Sequence, residues 1–227
     1  MSARYDGLDG YAADADLGLG CGLPTEIADL HPGERVIDLG AGAGLDAFVA
    51  RRAVGEDGYV LGVDMTPEMV RKARANADKL GYENVEFRLG DIESMPVNDE
   101  AFDLALSNCV LNLVPDKAQA FREIFRVLKP GGRFVISDIV STGPLPDALR
   151  EAAELYVGCI AGALPKEEYL GLVRNAGFER VRIEQDRTIE LPADLLREHL
   201  SDDARAEFRA SGAQLRSITM TGVKPNA

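Results

Sequence analysis

Hydrophobic and polar positions along the chain fall into two alternating patterns, short apolar runs and longer amphipathic stretches. Apolar runs typical of buried strands lie at residues 36–39, 59–64, 85–89, 102–107 and 133–140. Amphipathic stretches typical of helices lie between them, at residues 45–54, 66–80 and 117–128. Because strands that alternate with helices form a parallel sheet covered on both faces, this part of the chain predicts a doubly wound α/β fold.

The pattern changes after residue 140. A loop and helix at residues 144–163, a helix at 167–176, a strand at 178–183 that continues towards 191, a helix at 192–208 and a last strand at 214–223 follow. Residues 1–33 are rich in Gly and Asp and predict loops and a short helix near Pro24 that lie over the active face. We therefore expect an N-terminal cover segment (1–33) and a main domain (34–227), which contains an insertion that forms a second cover at about 141–177.

The helix that follows the second strand has clear signals at both ends. Thr66 stands at the N-cap, Pro67 at the first helical position and the acid Glu68 in the first turn. Gly81 ends the amphipathic stretch. Since Thr66 already fills the capping role, the acid that closes the preceding strand, Asp64, is available for another purpose.

A Gly-rich turn joins the first strand to its helix, and it has the sequence Asp38-Leu39-Gly40-Ala41-Gly42-Ala43-Gly44. A dinucleotide-binding fingerprint needs its third glycine three positions after the second, where this chain has Leu45. The D-x-G-x-G-x-G order instead resembles motif I of the class I S-adenosylmethionine (SAM) methyltransferases. That resemblance implies a turn that passes the amino acid part of SAM at a distance that a Cβ would prevent.

Candidate ligand-binding residues follow each of the first four strands, at the edge where ligands bind in open α/β sheets. The Asp64 carboxylate can accept both ribose hydroxyls of an adenosine. Asp91 can accept the adenine amino group while Ile92 packs on the ring, although an ordinary turn acid explains Asp91 equally well. Asn108 would face the sulfonium. The predicted cofactor-binding residues are Asp38, Gly40, Ala41, Gly42, Gly44, Asp64, Met65, Asp91, Ile92 and Asn108.

The composition of the chain disfavours several classes of binding partner and cellular setting. The net charge of −13 disfavours nucleic acids and anionic membranes, which attract basic surfaces. No apolar run approaches the roughly 20 residues of a membrane span, and the N-terminus has no apolar core of a secretion signal. Three cysteines, an odd count, do not form a disulfide framework. We therefore expect a reduced, cytoplasmic protein without nucleic-acid or membrane partners.

The three cysteines allow two interpretations. Cys109 follows the fourth strand at the active edge, whereas Cys21 and Cys159 lie in the two predicted covers. Free cysteines are most simply small core hydrophobes. The same placement suits a trithiolate site for a soft ion. The two histidines, His31 and His199, show no ligand-like spacing with the cysteines, and a zinc site would lack a fourth ligand.

Motifs around the cysteines resemble the bacterial and archaeal arsenite methyltransferases over roughly residues 19 to 183. The matching stretches are residues 19–22 (LGCG), 62–66 (GVDMT), 107–113 (SNCVLNL), 115–117 (PDK), 137–139 (SDI) and 158–164 (GCIAGAL). In that family, cysteines at these three positions bind As(III). Two departures are Ala41 and Ala43 in the glycine turn and the absence of further cysteines upstream of Cys21.

The resemblance implies a class I SAM methyltransferase fold, a Rossmann-like, mostly parallel sheet of seven strands whose last strand lies antiparallel beside the fifth. It also implies methyl transfer from SAM to arsenite, with Cys21, Cys109 and Cys159 as catalytic residues and As(III) ligands. A thiol reductant such as glutathione or thioredoxin would be required, which makes a thiol reductase a candidate partner.

Two alternatives stay open. A SAM-dependent methyltransferase that acts on carbon, nitrogen or oxygen of a small molecule would need SAM but no cysteine. A non-catalytic, thiol-based arsenic-binding protein would hold the ion without forming a methylated product. A hydride-transferring dehydrogenase is disfavoured by the spacing of the glycines.

Overall fold

The computed structural model describes residues 5–146, 149, 158–191, 197 and 200–226. Its strands are β1 (Arg35–Leu39), β2 (Tyr59–Asp64), β3 (Val85–Leu89), β4 (Phe102–Asn108), β5 (Leu128–Ser141), β6 (Glu179–Ile189) and β7 (Leu215–Val223). Its α-helices are α1 (Pro24–Ile27), α2 (Leu45–Val54), α3 (Pro67–Leu80), α4 (Lys117–Val127), α5 (Gly158–Ala161), α6 (Lys166–Asn175) and α7 (Asp202–Ser211). Short 3₁₀ helices cover Ala13–Ala15 and Leu111–Leu113.

The strands form one seven-stranded sheet in the order β3-β2-β1-β4-β5-β7-β6. Strands β1 to β5 pair in parallel, and β7 lies antiparallel between β5 and β6. The predicted doubly wound, mostly parallel sheet is confirmed, as is the antiparallel last strand beside the fifth. The carboxyl ends of β1, β2, β3 and β4 therefore meet at one edge.

Both faces of the central strand β1 are buried, as its sequence pattern predicts. Neighbouring residues of a strand point to opposite faces, and Val36 and Ile37 of β1 are both fully buried. Val36 belongs to a cluster with Phe48 of α2 and Ala73 of α3, whereas Ile37 belongs to a second cluster with Phe121 of α4. The helices on the two sides thus cover a central strand that is apolar on both faces.

Two predicted boundaries are wrong. The helix expected over residues 192–208 is interrupted, because Leu200 lies in a bend and Ser201 is the N-cap of α7, where its side chain accepts a hydrogen bond from Ala204 N–H. Residues 192–196, 198 and 199 lie outside the described residues. Strand β5 begins at Leu128 rather than Arg133, because pairing with β4 already starts at Phe102 and resumes after an irregularity.

The N-terminal segment lies against this framework. The Tyr5 side chain is buried, and the Arg133 guanidinium of β5 donates to the carbonyl of Ala28 at 2.8 Å. In the part of the chain that the structure describes, no helix has the length and apolar character needed to cross a membrane. The division into a cover (1–33), a domain (34–227) and an insertion at about 141–177 stays a prediction.

Candidate active site

The glycine turn after β1 brings backbone close to other elements. Gly40 (φ +67°) and Gly44 (φ +100°) have left-handed backbone, which favours glycine. A Cβ on Gly40 would overlap the Val110 side chain, and one on Gly44 would lie 2.7 Å from the Phe48 ring. Gly44 is the N-cap of α2 and provides no side-chain cap. The Gly40 and Ala41 N–H groups donate to the carbonyl of Val63 at 2.8 and 3.1 Å, and the Gly44 N–H donates to that of Ala41 at 2.8 Å, so the turn is fixed beside the end of β2 at the carboxyl edge of the sheet.

Asp64, at the end of β2, is held by two backbone donors. Its Oδ2 accepts from Gly42 N–H at 2.9 Å and its Oδ1 from Thr66 N–H at 2.8 Å. The predicted capping by the Thr66 hydroxyl is wrong: Thr66 stands at the N-cap of α3, but its side chain makes no cap hydrogen bond. Each Asp64 oxygen can still accept one more donor, and its neighbour Met65 is 75% exposed.

Two acids lie buried behind the turn. Asp38 is 2% exposed and its Oδ2 has no hydrogen-bond partner. Burial raises its pKa well above the ordinary value, and the nearby carboxylates of Asp46 and Asp64 raise it further. Burial raises the pKa of Asp46 to about 6, against hydrogen bonds from Asn108 and Tyr5 that lower it. A cation placed beside these carboxylates would favour their charged forms.

Sequence reasoning identified Asp38 but missed Asp46 and Tyr5. Asp46 belongs to no motif, and the available signal was an acid in the first turn of the helix after the glycines. The Tyr5 hydroxyl donates to this carboxylate, at 2.9 Å from Oδ1 and 3.0 Å from Oδ2. The pKa of the Tyr5 hydroxyl is raised, mainly by burial and by the charge of Asp46.

Asp91 and Ile92 lie at the same edge, next to Asp64. Gly90 N–H donates to the carbonyl of Asp64 at 3.0 Å, which brings the end of β3 beside that of β2. Asp91 is exposed, and its Oδ1 accepts from Glu93 N–H at 2.9 Å, whereas Ile92 is 7% exposed. A turn acid and an adenine acceptor are both compatible with this position, so the cofactor roles of Asp91 and Ile92 stay predictions.

Asn108, at the end of β4, contacts the N-terminal segment. Its Oδ1 accepts from Cys21 N–H at 3.0 Å, and its Nδ2 donates to the carbonyl of Gly22 at 3.0 Å and to Asp46 Oδ2 at 3.2 Å. These bonds show that the Asn108 amide has partners within the protein. Its predicted contact with the cofactor stays a prediction.

The three cysteines meet at the sheet edge. Their sulfur atoms all lie within 4.8 Å of one another, although Cys21, Cys109 and Cys159 come from three separate segments. Among the described residues, these three cysteines are the set of potential metal ligands whose atoms lie close enough together to hold a metal ion. His31 is exposed and pairs with Asp29, and His199 lies outside the described residues.

Cys21 and Cys109 are joined by a disulfide, so the expectation of a reduced protein is wrong for these two cysteines. The count of cysteines misled because it cannot show that residues 88 positions apart have Cα atoms 5.6 Å apart, a separation usual for a disulfide. The Cys159 thiol is free and donates to the carbonyl of Cys109 at 3.0 Å. Burial, and then the charge of Asp138, raise its pKa to about 11.

Local backbone geometry orients two of these cysteines. Cys109 has φ +61°, a left-handed conformation that is uncommon for residues other than glycine. Its N–H donates to the carbonyl of Ser137 at 2.8 Å, which fixes the turn after β4. Near Cys159, a Cβ on Gly162 would overlap the carbonyl oxygen of Asn112. Close backbone approach thus brings the Cys159 segment to the edge.

The chain is similar in sequence to known methyltransferases. A methyltransferase-domain family model matches residues 30–193. The chain is 47% identical to the arsenite methyltransferase of Halobacterium salinarum over 97% of its own length and 54% of the relative's. It is 39% identical to that of Aquipseudomonas alcaligenes, over 91% of this chain and 60% of the relative. The chain thus spans a little over half the length of the curated relatives it matches.

Two solved structures have a fold similar to that of this chain. The arsenic (III) S-adenosylmethionine methyltransferase of Chlamydomonas reinhardtii superimposes with a TM-score of 0.78 at 40% identity, over 91% of this chain and 68% of that one. The YcgJ protein of Bacillus subtilis superimposes with a TM-score of 0.71 at 26% identity, over 90% of this chain and 97% of that one.

Proposed function

The chain belongs to the methyltransferase-domain family, and from that membership we propose that it transfers a methyl group from SAM to trivalent arsenic bound by cysteine thiolates. The observation that carries the proposal is the meeting of the Cys21, Cys109 and Cys159 sulfurs within 4.8 Å. Such a set suits a soft, three-coordinate ion. Similarity to the arsenite methyltransferase of Halobacterium salinarum over 97% of this chain favours As(III) as that ion.

The residues at the carboxyl edge fit SAM as the methyl donor. Each Asp64 oxygen can accept a ribose hydroxyl beside the backbone N–H that it already binds. Asp38 Oδ2 has no hydrogen-bond partner, and the Asp46 carboxylate lies near it. Both would bind the cationic amino group of SAM, whose charge would offset the unfavourable free energy of burying two carboxylates. When bound, SAM supplies an electrophilic methyl group on a sulfonium.

Arsenite enters as the substrate, As(OH)₃. Three thiols replace its three hydroxyl groups, and three water molecules leave. The raised pKa of Cys159, about 11, keeps this thiol protonated near neutral pH. Its proton therefore leaves with one of the waters, and ion binding does not require a free thiolate beforehand.

Three arsenic–sulfur bonds leave the arsenic lone pair as the nucleophile. As the arsenic–carbon bond forms, the bond between methyl and sulfonium sulfur breaks and its electron pair stays on that sulfur. No general base is required, because no proton leaves the nucleophile. The protein contributes mainly alignment, which can remove on the order of 7–11 kcal/mol of a barrier.

The electron balance explains why a disulfide belongs to this site. When the arsenic lone pair forms the bond to carbon, arsenic is formally oxidised by two electrons. Formation of a Cys21–Cys109 disulfide, the pairing present in the structure, breaks two arsenic–sulfur bonds and returns two electrons to arsenic. Water then supplies a hydroxyl group to the methylated arsenic, which stays bound to Cys159, and a proton leaves. Two glutathione molecules, or the two thiols of one thioredoxin molecule, then regenerate both cysteines and become a disulfide themselves. We therefore include glutathione or thioredoxin, and a thiol reductase as partner, in the proposal, together with the cytoplasmic setting expected from the sequence.

The test is incubation of the reduced protein with SAM, glutathione and As(III), followed by speciation of the arsenic. The expected products are methylated arsenic and an equivalent amount of S-adenosylhomocysteine. Bound arsenic without methylated product would support the non-catalytic arsenic-binding protein instead. Formation of S-adenosylhomocysteine only with an organic acceptor would support a methyltransferase acting on carbon, nitrogen or oxygen.

A further inference from the structure

We propose that Asn108 is a positioning residue for Cys21: its side-chain amide holds the Cys21-Gly22 backbone at the end of β4, and so places the third thiol against the other two. The inference rests on the proposed function, because it assigns how the third arsenic ligand is delivered. It concerns the amide of Asn108 and the backbone of the N-terminal segment, neither of which is a ligand of arsenic.

All four backbone polar groups of Cys21-Gly22 bond to side chains that are distant in sequence. The N–H groups of Cys21 and Gly22 both donate to Asn108 Oδ1, at 3.0 and 3.3 Å. The carbonyl of Gly22 accepts from Asn108 Nδ2 at 3.0 Å and from the Tyr5 hydroxyl at 3.3 Å. The Ser217 hydroxyl donates to the carbonyl of Cys21 at 2.7 Å. Asn108 makes three of these five bonds and is their principal support.

The dipeptide also rests directly on the sheet. A Cβ on Gly22 would overlap Ser137 Oγ and lie 3.0 Å from Thr219 Oγ1. These two buried hydroxyls bond to each other across 2.8 Å. The dipeptide is therefore fixed from below by contact with β5 and β7 and from the side by Asn108.

The chemistry at position 108 requires an amide. The Oδ1 atom accepts two N–H groups, while Nδ2 donates to Gly22 and to Asp46 Oδ2 at 3.2 Å and contacts the Tyr5 hydroxyl. An aspartate here would keep the acceptor but lose the donors, and it would place a second carboxylate against Asp46. Because both functions are used, neither Ala nor Asp can replace Asn108 without releasing Gly22.

The position of Asn108 in the chain links the two thiols. Asn108 is the last residue of β4 and Cys109 follows it directly, so the group that binds the Cys21 backbone is covalently attached to the second ligand. Cys159 is supported separately, since its thiol donates to the carbonyl of Cys109 at 3.0 Å. Loss of the Asn108 amide should therefore displace Cys21 and leave the Cys109–Cys159 pair in place.

The experiment counts the sulfur ligands of bound arsenic. Reduced protein is loaded with one equivalent of arsenite, and X-ray absorption at the arsenic edge measures the coordination. We expect three sulfurs for the wild type and for the exposed control Asn98→Ala. We expect two sulfurs and one oxygen for Asn108→Ala and Asn108→Asp, the same result as for Cys21→Ser.

If the Asn108 variants do not fold, the milder variant Ser217→Ala provides a second test of how the Cys21 backbone is held. Ser217→Ala removes one bond to the Cys21 carbonyl and should weaken arsenite binding by about tenfold, as expected for a lost hydrogen bond. Binding of monomethylarsenous acid, which has only two exchangeable positions, should change much less. Equal weakening for both ligands would contradict a role specific to Cys21.

The remaining outcomes are distinct. Three sulfurs in Asn108→Ala, with three in the wild type, would overturn the positioning role and leave the proposed function intact. Fewer than three sulfurs in the wild type would overturn the proposed trithiolate site, and the positioning role with it.

Discussion

The Tyr169 hydroxyl donates to Asp138 Oδ2 across 2.9 Å, and both side chains are fully buried. Burial raises the pKa of Asp138 to about 7, although the bond from Tyr169, the Ile139 N–H and the charge of Lys117 lower it. The same carboxylate helps to raise the pKa of Cys159. A buried acid of the 137–139 motif, to which the sequence assigned no role, is therefore electrostatically connected to the cysteine cluster.

Asp138 should make the folded protein less stable as pH rises. Its folded-state pKa of about 7 exceeds the ordinary 3.8, so the folded state keeps a proton that the unfolded chain has lost. The resulting stabilisation is complete below about pH 4 and disappears as pH rises through about 7. The free energy of unfolding, measured with urea from pH 4 to 8, should show this decline. In Asp138→Asn, the part of the decline that Asp138 causes should be absent. An unchanged pH dependence in the variant would contradict the raised pKa.

The thiols should act as one unit in arsenite methylation. Serine is a hard, protonated ligand and substitutes poorly for a thiolate. Cys109→Ser and Cys159→Ser should lower the rate at least about 100-fold, which corresponds to about 3 kcal/mol of barrier, while calorimetry still shows SAM binding near normal. Cys21→Ser should lose methylation of As(III) but keep that of monomethylated arsenic, which needs only the Cys109 and Cys159 thiols for binding, with glutathione returning the two electrons in place of the Cys21–Cys109 disulfide. Full As(III) methylation by Cys109→Ser or Cys159→Ser would exclude the thiolate mechanism.

Asp64 should contribute strongly to SAM affinity. Asp64→Ala removes a charged acceptor at the end of β2, and hydrogen bonds to charged groups are worth about 1.5–3 kcal/mol. Isothermal calorimetry should therefore show weaker SAM binding of that size. Asp57→Ala, an exposed acid at the opposite end of β2, is the matched control and should bind SAM like the wild type. Unchanged affinity in Asp64→Ala would remove this residue from the site.

Gly162 should be required for both methylation steps, unlike Cys21. A Cβ at this position would overlap the carbonyl oxygen of Asn112, so Gly162→Ala should push the Cys159 segment away from the edge. Rates with arsenite and with monomethylarsenous acid should fall together.

The control for this prediction is Gly171→Ala in α6, where a Cβ meets open space. This change should leave both rates intact and stabilise the helix by about 0.5–1 kcal/mol. A selective loss of arsenite methylation in Gly162→Ala would contradict the assignment to Cys159.

Features that depend on neighbouring residues in the chain were determined by the sequence itself. The hydrophobic periodicity predicted α2 (Leu45–Val54) and β2 (Tyr59–Asp64) at their observed bounds. The glycine turn and Asp64 could be assigned to one edge because the carboxyl ends of parallel strands must meet there. The cysteine motifs predicted a thiol cluster, and the three sulfurs do come together.

Side-chain pairings between distant segments were decided only by the tertiary structure. The Cys21–Cys109 disulfide joins residues 88 positions apart, and the Tyr5–Asp46 and Asn108–Cys21 bonds span 41 and 87. The bond from Gly42 N–H to the Asp64 carboxylate likewise joins residues 22 positions apart, and the absence of a cap bond from the Thr66 hydroxyl could not be read from the sequence. Periodicity records which face of an element is buried, but partners are chosen by distance and donor geometry after the elements have packed.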